Sequence, residues 1–172
     1  RDALGRGVAG SLRRADGGHI RFIGVYGVSG ASLPGFTHDP IAVREEAATT
    51  AFLRRECSKC AEEGLPVVAA GDVNAISDAA MDRINGDSVV RSASLPVVLQ
   101  ELGFQDSFRA RHPTAAAVTF FSHWGGGSRL DQIWSRASSD CSLYCVNAAV
   151  IWRWPGRADH DPAVADFVCA LP

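Results

Sequence analysis

A chain of 172 residues can bury one core of ordinary size but not two, and 47% apolar with 21% charged residues describes a globular rather than a disordered protein. A net charge of −2, with Lys59 the only lysine, excludes a protein that grips nucleic acid through bulk positive charge. No apolar run reaches the length of a membrane span and no signal-like stretch opens the chain, which starts at Arg1-Asp2 and reads as a piece of a longer polypeptide.

Val8 to Arg13 and Ile20 to Tyr26 read as two strands joined by Ala15-Asp16-Gly17-Gly18, a hairpin turn. A loop with Gly30, Pro34 and Gly35 follows. Asp39-Pro40 then opens a long helix, with a capping carboxylate before a proline in the first helical position. The helix runs to about Glu63 and stops at Gly64. Pro66 to Ala70 is wholly apolar, as expected of a strand buried on both faces, and leads into Gly71-Asp72-Val73-Asn74. Ser94, the helical spacing of Leu95, Val98, Leu99 and Leu102, and Gly103 as a stop mark a second helix. The remainder is strand-rich, over Val118 to Phe121, Leu130 to Trp134, Leu143 to Trp152 and Ala163 to Val168. Strands and helices mix without strict alternation, which fits two packed sheets flanked by helices better than a βαβ repeat.

Five cysteines cannot all pair within one chain. Cys57-x-x-Cys60 and Cys141-x-x-x-Cys145 have zinc-like spacing, but Leu53, Cys57 and Cys60 share one helix face, where buried thiols are common. The expectation is free thiols in a reducing, intracellular compartment, the nucleus among the options.

Three short segments carry the residues with chemistry. Asp72 and Asn74 stand two apart at a strand end, which sends both side chains to one side. The carboxylate can take a proton or hold a water, and the amide can donate to a phosphate oxygen. A plain turn is equally open, since Gly, Asp and Asn all form turns. In Ser128-Arg129-Leu130-Asp131-Gln132-Ile133-Trp134, Asp131 lies inside an alternating apolar segment where an unpaired carboxylate is costly, and a histidine would be a fitting partner. The alternative is an Arg129–Asp131 pair at a sheet edge. Asp159-His160-Asp161-Pro162 sets an imidazole among carboxylates, able to donate to an anionic phosphoryl group; a solvated turn before a strand is the alternative.

Taken in this order, the apolar strand into Gly-Asp-x-Asn, then Ser-Arg-Leu-Asp, then Asp-His-x-Pro resembles the endonuclease/exonuclease/phosphatase superfamily. That group includes deoxyribonuclease-I-like nucleases, abasic-site endonucleases and the endonuclease domains of non-LTR retrotransposons. Ile23-Gly24-Val25-Tyr26, the stretch from Leu102 to Arg109 closing with His112-Pro113, and Val118-Thr119-Phe120 add lesser similarities, so the resemblance extends from Val8 to Val168. It implies an α/β fold, the DNase I-like four-layer sandwich of two packed mixed sheets flanked by helices. Residues 1–172 would be a single partial domain lacking its N-terminal portion.

The resemblance also implies roles. Asp72 orients or deprotonates the attacking water, Asn74 holds the phosphate, His160 is the catalytic histidine, and Asp131 is its partner. Asp159 lies beside a metal, Mg²⁺ or Mn²⁺. Tyr26, Asn74 and Arg129 contact substrate. The Tyr26 match is looser, because the family's following Pro-Asn is Val28-Ser29 here, after Gly27.

Other features depart from the pattern. The family's chief metal-binding Glu and an Asn lie upstream of anything matched here, and Glu45, Glu46, Glu56, Glu62, Glu63 and Glu101 all fall in predicted helices. The chain is therefore either one piece of a longer active protein or a copy that keeps the fold without catalysis. Either way, a partial sandwich should expose sheet surface. Gln132 and Ala158 replace a common aromatic and a common Ser, with consequences expected for the substrate wall and one hydrogen bond. Trp152 and Trp154 form either a stacking platform or a cover for the sheet edge.

The leading functional expectation is a DNA endonuclease of retroelement or repair type, because Thr119-Phe120 and the Ser-Arg-Leu-Asp-x-Ile-Trp wording are most similar to those branches. Expected partners are DNA and the missing N-terminal half or a larger polyprotein, with no membrane. A phosphatase or phospholipase on small or lipid phosphoesters is the rival that the near-neutral charge favours. A non-catalytic relic of the fold is the third reading.

Overall fold

The computed structural model describes residues 4–29, 39–84, 94–122, 125–152 and 159–170. Gly30, Pro34, Gly35, Trp154 and Ala158, named above, lie outside them.

Strands β1 (Gly7–Arg13) and β2 (His19–Val25) pair antiparallel, with Gly17 at φ 88° in the turn. Helix α1 (Pro40–Glu62) follows. Its cap is local chemistry: the Asp39 side chain accepts from the Ile41 and Ala42 amides, and Pro40 fills the first turn. At the far end Gly64 takes φ 63°, a conformation that costs a side-chain-bearing residue more than glycine. α1 carries the chain over to β3 (Val67–Asp72), which lies parallel to β2.

Then come β4 (Arg83–Ile84), α2 (Ser94–Glu101), β5 (Gln105–Asp106), α3 (Ser107–Arg111), β6 (Phe120–Phe121), β7 (Gly127–Ser128), β8 (Asp131–Arg136), β9 (Ser142–Val150) and β10 (Ala163–Ala170). The main sheet has the order β1-β2-β3-β8-β5, mixed in direction; β10-β9 and β4-β7-β6 form two smaller sheets.

The alternation of side chains divides the main sheet into two faces. On one, Ile23, Val25, Val67, Ala69 and Trp134 meet Phe52, Leu53, Cys57 and Cys60 of α1 and Leu95, Val98 and Leu99 of α2, forming the core. Each large side chain removed from water here contributes about 1.5–3 kcal/mol. Glu56, buried on α1, ties the helix to the sheet through Arg21 of β2 at 2.6 Å.

The other face carries Val8, Leu12, Phe22, Val68, Ala70, Asp72, Asp131 and Ile133, read from the strand registers. The β9–β10 sheet packs on its β8 side: only about 10 Å³ of free space remains among Asp131, Ile133, Ala148 and Ala163. Over β1 and β2 that cover stops, and Val8, Leu12 and Phe22 are 51%, 56% and 40% exposed. The far side of the β9–β10 sheet also exposes Tyr144, Val164 and Val168. Helices α1 and α2 thus cover one face of the main sheet, the β9–β10 sheet covers part of the other, and α3 lies against β8 and β9, the layered α/β sandwich expected from the sequence.

Cysteine pairing departs from the sequence reading. Cys141 and Cys169 form a disulfide, brought together at the open end of the β9–β10 ladder where Cys169 faces Leu143. Cysteine content therefore no longer argues for a reducing compartment. Cys57 and Cys60 are free and buried on the α1 face as the spacing requires. No described helix is long and apolar enough to cross a membrane.

Candidate active site

The antiparallel register of β3 and β8 sets Asp72 directly opposite Asp131, both on the face turned away from α1. Two close backbone approaches shape this end of the sheet. A Cβ on Gly71, which sits at φ 149°, would lie 1.9 Å from the Val25 carbonyl oxygen; one on Gly27 would lie 1.9 Å from that of Val73. Only glycine lets the end of β2 close onto the turn after β3, where the Gly27 amide donates to the Asp72 carbonyl at 2.7 Å.

Asp131 meets His160, 29 residues away, with Nδ1 2.7 Å from Oδ2. The two side chains are 26% and 32% exposed, so the pair stands at the surface with restricted access to water. An ionised carboxylate only accepts, so the shared hydrogen sits on Nδ1 and leaves Nε2 available to a ligand. The imidazole is fixed from two sides: His160 forms a β-bridge to Phe120, and the Phe120 ring lies 5.1 Å from its own.

Asn74 turns into the left-handed region at φ 48°, which brings its amide back over Asp72. Its backbone N–H donates to Asp72 Oδ1 at 2.9 Å, and its Nδ2 donates to Asp72 Oδ2 at 3.1 Å and to the Gly27 carbonyl at 3.2 Å. Both amide hydrogens are thus engaged, and a phosphate oxygen would have to displace one. In this arrangement the amide steadies Asp72. Tyr26, half exposed, follows β2 with the Arg6 guanidinium 5.2 Å above its ring.

Asp159 is exposed, and its carbonyl accepts from the Phe121 amide at 2.9 Å. Among the described residues no group of three or more His, Cys, Asp or Glu side chains is gathered as a metal centre would require. The described residues do not by themselves fit a resident divalent cation.

Arg129, expected to contact substrate, does not. It is 1% exposed and held between two buried carboxylates, with Nε 2.8 Å from Asp82 Oδ1 and Nη2 2.5 Å from Asp106 Oδ2. Arg109 closes the group by pairing with Asp82. Burial alone would raise the Asp82 pKa, but the hydrogen bonds and charges of Arg129 and Arg109 outweigh it and hold the carboxyl below the usual range. Burial disfavours the charged Arg129 too, yet Asp106 and Asp82 hold it protonated. Arg129 is a strut under the site, and its side chain has no route to a substrate.

Gln132 is likewise not a substrate wall. It faces the helix side, 1% exposed, donating to the Ala75 carbonyl at 2.9 Å and accepting from Trp134 Nε1 at 2.9 Å. Trp152 is 54% exposed with its ring 5.9 Å from that of Phe121.

Sequence reasoning missed Asp82 and Asp106, whose partner lies 47 and 23 residues away, and gave Thr119 no structural role. For Asp106 a signal existed: it caps α3, accepting from the Phe108 and Arg109 amides.

No protein-family model and no curated protein sequence matches the chain. Solved structures do. A 3′ phosphatase from Neisseria bound to a product DNA hairpin is similar over 87% of this chain and 61% of its own, at 24% identity and a TM-score of 0.66. An AP endonuclease from Leishmania major is similar over 92% and 53%, at 21% identity and a TM-score of 0.64. For the catalytic domain of Xenopus laevis APE2 the figures are 96% and 55%, 18% identity and 0.62. The chain thus spans between 53% and 61% of the length of these structures.

Proposed function

We propose that this chain, which has the DNase I-like fold of the endonuclease/exonuclease/phosphatase superfamily, is part of a phosphodiester hydrolase acting on DNA, an endonuclease of repair or retroelement type. The observation that carries the reading is the 2.7 Å contact between His160 and Asp131, in cross-strand register with Asp72. A surface turn has no need of a histidine shared with a carboxylate beside a second carboxylate. Hydrolysis of a phosphodiester does.

In the proposed reaction Asp72, held on both oxygens by Asn74, orients the attacking water and takes its proton. His160, fixed by Asp131 and Phe120, presents Nε2 to a non-bridging oxygen and, when charged, donates to the negative charge that builds there. Tyr26, half exposed after β2, would bound the substrate.

A divalent cation, Mg²⁺ or Mn²⁺, belongs to the proposal only with ligands beyond the described residues, Asp159 contributing one carboxylate. It would neutralise phosphate charge.

Nicking of supercoiled plasmid by the intact protein tests this reading. His160→Ala and Asp72→Ala should each lower the rate on the order of a hundredfold or more. Undiminished nicking by both variants would overturn it. The net charge of −2 favours a second reading, a phosphatase on smaller phosphoesters. Release of inorganic phosphate from a phosphomonoester, without nicking, would decide for it.

A further inference from the structure

We propose that Thr119 is the positioning residue for the Asp131–His160 pair, its hydroxyl fixing the backbone that carries the carboxylate while its main chain fixes the backbone that carries the imidazole. The inference rests on the reading of that pair as the working groups of the site. Thr119 is fully buried. Its Oγ1 accepts from two consecutive amides, Leu130 N and Asp131 N, both at 2.9 Å. Its carbonyl accepts from the Asp161 amide at 2.6 Å, and its own N–H donates to the Ser128 carbonyl at 3.1 Å. The next residue, Phe120, bridges to His160, and the one after, Phe121, donates to the Asp159 carbonyl. A single residue therefore holds both halves of a contact between segments 29 residues apart.

The two attachments differ in what they demand of the sequence. Any residue provides the main-chain bonds to Asp161 and Ser128. Only a hydroxyl provides an oxygen with two lone pairs at a point where consecutive amides converge. Valine has the same shape and no acceptor, and would leave the amides of Leu130 and of Asp131, the first residue of β8, without this partner. Those amides must then rotate toward other partners, and the Asp131 side chain moves with its backbone. Misplacement of a catalytic group by about 1 Å commonly costs on the order of a hundredfold in rate. Serine keeps the oxygen and should keep the geometry.

The test compares Thr119→Val and Thr119→Ser with Thr49→Val. Thr49 is the other fully buried threonine among the described residues, and its hydroxyl donates to the Glu45 carbonyl within α1, away from the pair. The first measurement is the downfield proton resonance of His160 Nδ1–H, assigned by its loss in His160→Gln. We expect it in wild type, Thr119→Ser and Thr49→Val, and expect it shifted or lost in Thr119→Val at unchanged far-ultraviolet circular dichroism. The second is hydrolysis by the intact protein, where Thr119→Val should lower kcat about a hundredfold with KM within about twofold, and Thr119→Ser should recover it. Should the valine protein fail to fold, Thr119→Ala and Thr119→Ser, which differ by one oxygen, carry the same comparison. Retention of the resonance and of kcat in the valine or alanine variant overturns the inference, as does an equal loss in Thr49→Val. A wild-type protein that shows the resonance but hydrolyses no phosphoester would remove the proposed function and leave the positioning inference to stand on the resonance.

Discussion

Replacing Asp82 with alanine tests the account of the charge cluster beneath the site. Asp82 is fully buried, and its Oδ2 accepts from the Ser77 and Asp78 amides at 3.1 and 2.9 Å while both oxygens engage Arg129. Alanine leaves the Arg129 guanidinium, 1% exposed, with Asp106 alone, and leaves Arg109 without its carboxylate. Breaking a buried pair in this way costs about 3–5 kcal/mol, a large part of the roughly 5–15 kcal/mol that holds a domain folded. At about 2–4 °C for each kcal/mol in a chain of this size, the thermal midpoint should fall by about 6–20 °C. Circular dichroism melts and urea titrations at pH 7 measure both quantities. Asp82→Ala/Arg129→Met should lose less than the sum of its single changes, because removing the cation removes what the carboxylate neutralised. A cost below about 1 kcal/mol for Asp82→Ala, or strict additivity in the pair, would refute the strut.

Three further outcomes follow from the same geometry. Since Asp82 has a folded pKa below its unfolded value, its contribution is present above the unfolded value of about 4 and disappears as pH falls through the folded one; wild-type stability should drop below about pH 4, more steeply than in Asp82→Ala. Burial pushes the Cys57 thiol up to about 11 and raises Cys60, so a thiol reagent at pH 8 should label Cys145 first and reach the other two only on unfolding; rapid labelling of Cys57 would contradict the packing of α1. Gly27→Ala must part the end of β2 from the turn that carries Asp72 and Asn74, costing about 1–3 kcal/mol and much of the hydrolysis, as melts and plasmid assays would register.

The parts of the fold that could be read from the sequence are those fixed within a few residues. Asp39, Pro40 and Gly64 bound α1 through local bonds and one backbone angle, and the apolar run before Asp72 could only be a buried strand. Where longer-range bonds compete, the pattern misleads. Val118 to Phe121 reads as a strand, yet only Phe120–Phe121 is one; the Thr119 amide still donates to Ser128 of β7, while its carbonyl accepts from Asp161, beyond the sheet. Helix α3 is five residues long, too short for a periodicity to register. Arg129 next to Leu130 and Asp131 looks like a substrate contact until its partners on β5 and before β4 are placed around it. The disulfide belongs to the same class, since its two halves are 28 residues apart and only the register of β9 and β10 brings them together. The Asp131–His160 contact could be anticipated only through a resemblance; neither segment alone distinguishes a catalytic group from a turn.

The uncovered strip and the candidate site belong to one surface. Val8, Gly24 and Ala70 form a row across β1, β2 and β3 on the face away from α1, and Asp72 lies two residues beyond Ala70 on that same face, opposite Asp131. Phe22 and Leu12 continue the strip away from the site. On the β8 side this face is closed by β9 and β10, and the segment carrying His160 is bridged to Phe120. On the β1 side nothing described closes it. Exposing three large apolar side chains on one sheet face is costly in water, at about 25 cal/mol for each Å² left uncovered. Whatever polypeptide relieves that cost would pack on the sheet face that also carries Asp72 and Asp131. One covering segment would therefore both relieve that exposure and border the site, which is why the stability of this fold and access to Asp72 and Asp131 are expected to change together.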